Sequence, residues 1–111
     1  MAVAFVLDQI TLHEGKTDGE FETFMLEEIF PAIDTSSDEQ QTILAHRQFL
    51  LKGQGPNEYL WVSQLEYFFH QTPFPGWLSN RVERIHQETP AKLAEFGTRT
   101  SSAVYYDVAS L

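Results

Sequence analysis

No cysteine occurs among the 111 residues, so disulfides, thiolate metal sites and a cysteine nucleophile are all excluded. Basic residues are scarce: 7 Lys and Arg stand against 16 Asp and Glu, for a formal net charge of −9. No stretch clusters Lys and Arg, and an acidic chain repels phosphate backbones and anionic lipid, so nucleic-acid and membrane-surface roles lose support. Long apolar runs are missing too. The opening run, residues 1–7, has no basic leader and meets Asp8 at once. It is too short for a signal peptide or a membrane span, and a cytoplasmic globular protein is expected. The chain also lacks the G-x-S-x-G, P-loop and G-x-G-x-x-G patterns, which weakens hydrolase, NTPase and dinucleotide readings. It contains no repeat, low-complexity tract or linker.

What is present is material for one core. The chain is 42% hydrophobic and 14% aromatic, with nine Phe. A single domain spanning 1–111 is expected, without staples. Residues 4–13 are β-branched and apolar and end at the Glu14-Gly15 turn. Thr17-Asp18-Gly19-Glu20 matches a capping box, and Phe21, Phe24, Met25 and Ile29 follow at helical spacing. Leu26, Phe30 and Ile33 widen that stripe, and Pro31 kinks or ends the helix. Residues 34–42 read as a loop. Residues 43–52 and 58–68 read as strands joined by the turn cluster Gly53-Gln54-Gly55-Pro56-Asn57. After a Pro-rich approach over 70–76, a second helix carries Leu78, Val82, Ile85 and Thr89. Pro90 breaks it, a continuation turns Leu93 and Phe96 inward, and Gly97 stops it. Residues 102–109 make a last strand.

The order β-α-β-β-α-β with short connections favours an α+β, ferredoxin-like domain, a four-stranded antiparallel sheet with both helices on one face. A sheet covered on one face should alternate apolar and polar residues. Here the third strand is apolar on both parities: Tyr59, Trp61, Leu65 and Tyr67 on one, Leu60, Val62 and Phe68 on the other. Two-sided apolarity predicts a cover for the open face, and a second copy of the same sheet is the economical one. The alternative is a thick core plus scattered surface aromatics.

FVLDQITLHEGKTDGEFETF, NEYLWVSQLEY and GWLSNRVERIHQE resemble the dimeric α/β-barrel superfamily, in particular its antibiotic-biosynthesis-monooxygenase-like group. The resemblance covers nearly the whole chain in layout and rests on diffuse motifs. It implies a homodimer of one dimeric α/β-barrel domain per chain. It also implies a pocket between sheet and helices for a small hydrophobic or aromatic molecule. The group includes cofactor-free monooxygenases, haem-degrading monooxygenases, isomerases and members without known activity, so fold alone does not choose among them.

Two residues break the apolar pattern. Asp8 shares strand parity with Val6, Ile10 and Leu12, the side assigned to the helices, where a carboxylate must be paired, protonated or in a wet cavity. His86 lies at the edge of the second helix's apolar stripe. The two could meet as acid/base groups in one pocket, or His86 could be a hydrogen-bonded boundary histidine. Some haem-degrading members use an Asn on the first strand, a Trp on the third and a His on the second helix. By resemblance these fall on Asp8, Leu65 and His86. Only the histidine matches in type, and it could ligate iron, so haem stays open as a cofactor beside none at all. Trp61 and Ser63 share parity with Leu65. With Tyr105 or Tyr106 they could line an aromatic cavity, or be plain core. In the monooxygenase reading such walls hold an electron-rich aromatic substrate while His86 or Asp8 removes a proton. A non-catalytic ligand-sensing or interaction module is the remaining reading. His13, His46 and His70 lack zinc-type spacing, so no metal is assigned. Arg47 could pair with Glu66 across the hairpin, or anchor an anionic ligand.

Overall fold

The computed structural model describes residues 2–31, 43–67 and 90–110. Four strands, β1 (Ala2–Leu12), β2 (Ile43–Lys52), β3 (Glu58–Tyr67) and β4 (Gly97–Tyr106), form one antiparallel sheet in the order β2-β3-β1-β4. With α1 (Asp18–Phe24) and α2 (Pro90–Phe96) they make an α+β fold. Because every neighbouring pair is antiparallel, β1 and β2 run the same way with β3 between them, and β3 and β4 flank β1 likewise.

The capping box at the start of α1 forms as the sequence predicts. Glu20 N donates to Thr17 Oγ1 and Thr17 N donates to Glu20 Oε2, each at 3.2 Å, which satisfies two helix-start amides reciprocally. After Phe24 the helix widens into one π-type turn, Met25–Ile29, where Phe30 N donates to Met25 O. Pro31, which has no amide hydrogen to extend an ordinary ladder, follows directly. Phe21, Phe24, Met25 and Ile29 are buried as their spacing predicts. Leu26 is not part of the stripe: it is 55% exposed, pointing away from the sheet. Phe30 is half-buried, and Ile33, the 34–42 loop and the expected helix over residues 77–89 lie outside the described residues.

At the β2–β3 hairpin the turn cluster closes with Gly53 N donating to Glu58 O at 2.8 Å, and Asn57 adopts φ 61°. Asn is among the few side chains that tolerate this left-handed conformation. In the resulting register Arg47 stands opposite Gln64, and Glu66 is paired with Ala45, so the expected Arg47–Glu66 cross-strand pair is not made directly.

The last strand is the main correction. Residues 102–109 were the expectation, but β4 runs from Gly97 to Tyr106 and a 3-10 turn takes Val108–Ser110. α2 passes into β4 without a loop, because Gly97 is pressed against β1. A Cβ there would sit 2.6 Å from the Thr11 carbonyl oxygen and 3.2 Å from Leu12 Cα. The polar stretch Thr98–Ser102 is strand because β4 is an edge with its side chains in solvent, which no apolar alternation announces.

One face of the sheet carries the core. Ile10, Leu12, Tyr59 and Trp61 pack beneath Phe21, Phe24, Met25, Ile29 and Leu93. Phe96 stacks on Phe24 with centroids 4.5 Å apart and 16° between planes, and Phe21 tilts against Tyr59 at 4.9 Å. Leu93 and Phe96 thus turn inward from α2 as predicted. The other face carries Phe5, Leu7, Leu60 and Val62, with Phe49 and Leu51 about half exposed beside them. No helix among the described residues is long and apolar enough to cross a membrane.

Candidate functional site

Alternation along β1 directs Ala2, Ala4, Val6, Asp8, Ile10 and Leu12 to the helix-covered face, and all six are buried. Asp8 is only 1% exposed. Register then decides its neighbours: Trp61 stands opposite it on β3 and Ser102 opposite it on β4. One row further along, Val6 lies between Ser63 and Val104, and one row beyond that Ala4 lies between Leu65 and Tyr106. Asp8, Trp61, Ser63 and Leu65 therefore share one face, as the parity reading expects, and Tyr106 joins them at the β4 edge. Tyr105 does not. It pairs with Phe5 on the opposite face and is 58% exposed. His86 lies outside the described residues.

Trp61 is held firmly. Its Nε1 donates to Gln48 Oε1 at 3.0 Å, and Gln48 Nε2 donates to Phe30 O at 3.1 Å. The Phe30 ring stacks against the indole at 6.4 Å between centroids. This relay from strand to strand to helix ties the end of the π-type turn to the sheet and keeps a polar edge within the covered face. Gln48 stands opposite Ser63, and His46 opposite Leu65. The side chains of Ala4, Val6 and Ser63, adjacent across two strands, are small and buried, and Gln48 and His46 bring polar groups beside them.

Asp8 has a cationic neighbour that sequence reasoning did not find. Arg99 Nη1 lies 4.0 Å from Asp8 Oδ1. It comes to this face through a β-bulge. Up to Gln9 the register pairs Asp8 with Ser102 and Gln9 with Ser101; it then shifts, and Ile10 pairs with Arg99. Unbroken register would set Arg99 opposite Thr11, on the open face. The extra residue, Thr100, transfers it to the covered one, as bulges commonly do when they re-aim a side chain. No sequence signal marks the bulge, so the face taken by Arg99 is not readable from spacing.

At the hairpin end the electrostatics are those of a tie. Lys52 Nζ lies 2.8 Å from Asp18 Oδ2, which holds the Asp18 carboxyl below its ordinary range and pushes the Lys52 ammonium up. Burial first, and then the nearby Asp18 and Glu22 carboxylates, raise the Tyr59 hydroxyl well above its usual value. A phenol shifted that way stays neutral and is a poor base. His13 Nε2 lies 2.9 Å from the Ala94 carbonyl oxygen and so carries the proton in that bond. No group of three metal-type ligands occurs among the described residues.

Comparison with protein-family models, with curated proteins and with solved structures finds no match for this chain.

Proposed function

We propose that this chain is a homodimeric small-molecule-binding protein of ferredoxin-like, dimeric α/β-barrel architecture, similar to cofactor-free monooxygenases. It takes a hydrophobic or aromatic molecule between sheet and helices. The observation that carries the reading is Asp8: a carboxylate 1% exposed on the covered face, between Trp61 and Ser102 in the sheet. Burial of such a group costs several kcal/mol unless it is compensated, which makes it a candidate for chemistry. Asp8, or His86 of the helix expected from sequence, removes a proton from an acidic CH2 of an electron-rich aromatic substrate. The carbanion then reduces dioxygen. The CH2 carbon gives up four electrons and becomes C=O, one oxygen atom stays on it, and the other leaves as water.

Dimerisation is supported by the apolar open face, with Phe5, Leu7, Phe49, Leu51, Leu60, Val62 and Tyr105 on it. Four strands of ten residues span about 19 by 33 Å, or about 600 Å² in projection. That approaches the ~800 Å² per partner of a standard interface. Sedimentation equilibrium should give a dimer for the wild type and a monomer for the Phe49→Lys, Leu51→Lys double variant.

The catalytic reading is tested by oxygen uptake with anthrone, whose CH2 is acidic. The wild type should accelerate uptake over buffer, and Asp8→Asn should slow it at least ~100-fold, the usual scale for losing a general base. Wild type that matches buffer, or Asp8→Asn at full rate, defeats the reading. A Soret shift on adding haemin to the wild type would replace it with a haem-binding one.

A further inference from the structure

Where α2 turns into β4, a recess of about 220 Å³ is lined by His13, Leu93, Ala94, Gly97, Thr98 and Arg99. We propose that this recess binds a small monocarboxylate with an apolar body, held through its carboxylate on Arg99. The inference is independent of any catalytic role for Asp8.

The argument starts from the guanidinium. Arg99 belongs to an exposed edge strand, but its side chain is only 33% exposed. Its contact with Asp8, at 4.0 Å, is a charge contact longer than a hydrogen bond. A guanidinium carries five N–H donors in a planar fork. The Asp8 contact therefore leaves donors of the fork available, and Arg99 is one of the residues that line the recess. Carboxylate is the group whose two oxygens match that geometry, through parallel charge-assisted bonds.

The rest of the lining selects among anions. Leu93 is buried and Ala94 and Gly97 add further apolar surface, while Thr98 brings a hydroxyl. His13 spends its Nε2 proton on Ala94 O, which fixes the ring as one wall. A body of benzene-ring size fits such a volume. The buried Asp8 charge near the guanidinium and the overall charge of −9 both oppose a dianion. A monoanion is accordingly favoured over phosphate.

Benzoate, benzamide and inorganic phosphate are the probes, titrated into the full chain at fixed ionic strength and followed by amide NMR shifts. Benzoate should shift the amides of Gly97, Thr98 and Arg99 saturably, with benzamide and phosphate at least tenfold weaker. Arg99→Gln should weaken benzoate at least tenfold. Because that variant alters the surroundings of Asp8, Ala94→Trp serves as the second: it fills the recess from an exposed helix position and should abolish binding with the circular-dichroism spectrum unchanged. The proposal is overturned if benzoate gives no saturable shift, if benzamide or phosphate binds as well, or if benzoate binding survives Ala94→Trp in the folded protein.

Discussion

The two ends of the helix-covered sheet face are built differently. At one end Ile10, Leu12, Tyr59 and Trp61 meet the aromatic side chains of α1 and α2, and the space above the sheet is filled. At the other end the sheet presents Ala2, Ala4, Val6, Ser63 and Leu65, flanked by Gln48 and His46. Asp8 lies on the border, with Trp61 in its own row and Ser63 in the next. Both ends are buried, and the second also brings Gln48, His46 and Ser63 to the covered face. A single face of one sheet thus passes from large aromatic packing to small and polar side chains along the strand direction, within a few residues.

Truncation should expose that division most sharply. Trp61→Ala removes a buried indole, leaves Gln48 without its donor, and should cost about 3–5 kcal/mol in urea unfolding. Ser63→Ala, two residues along the same strand, should change stability by under about 1 kcal/mol. Equal losses at the two positions would erase the distinction. Thr17→Ala removes the side-chain half of the capping box, far from Asp8, and should cost about 1 kcal/mol without altering ligand binding.

The hairpin end should also respond to pH. Tyr59 has its folded pKa raised from 10.0, so its contribution is complete below pH 10 and falls away as pH rises beyond it. Lys52, raised from 10.5 by Asp18, acts in the same alkaline direction. Asp18, lowered from 3.8 by the hydrogen bond from Lys52, contributes fully above pH 3.8 and loses that contribution as pH falls below it. Tyr59→Phe should therefore flatten the drop in urea midpoint between pH 9 and 11, and, because a Tyr59 hydrogen bond is the second cause that lowers Asp18, also soften the acid-side loss. A wild-type profile with no alkaline drop would sink this account.

Much of the layout was legible because its signals are local. The Thr17–Glu20 capping box, the Phe21/Phe24/Met25/Ile29 stripe and the Gly53–Asn57 turn each act within a few residues, and each forms as read. Asp8 could be assigned to the covered face because strand parity is also local. The start of β4 was not legible, since an exposed edge strand of Thr and Ser has no alternation to betray it. Leu26 failed for a related reason: apolar character alone does not say on which side of a helix a residue falls.

By itself the sequence determined the strands β1, β2 and β3, the capped first helix, the hairpin turn and the presence of a carboxylate on the core side of β1. These follow from periodicity, capping and turn chemistry, which neighbouring residues settle among themselves. Only the tertiary structure decided what surrounds that carboxylate. Register set Trp61 and Ser102 beside it, and Tyr105 went to the opposite face. A one-residue bulge in the last strand brought Arg99 to its side. Register and bulges depend on pairing between segments some fifty to ninety residues apart, and no local pattern encodes which face a side chain takes once the count slips by one.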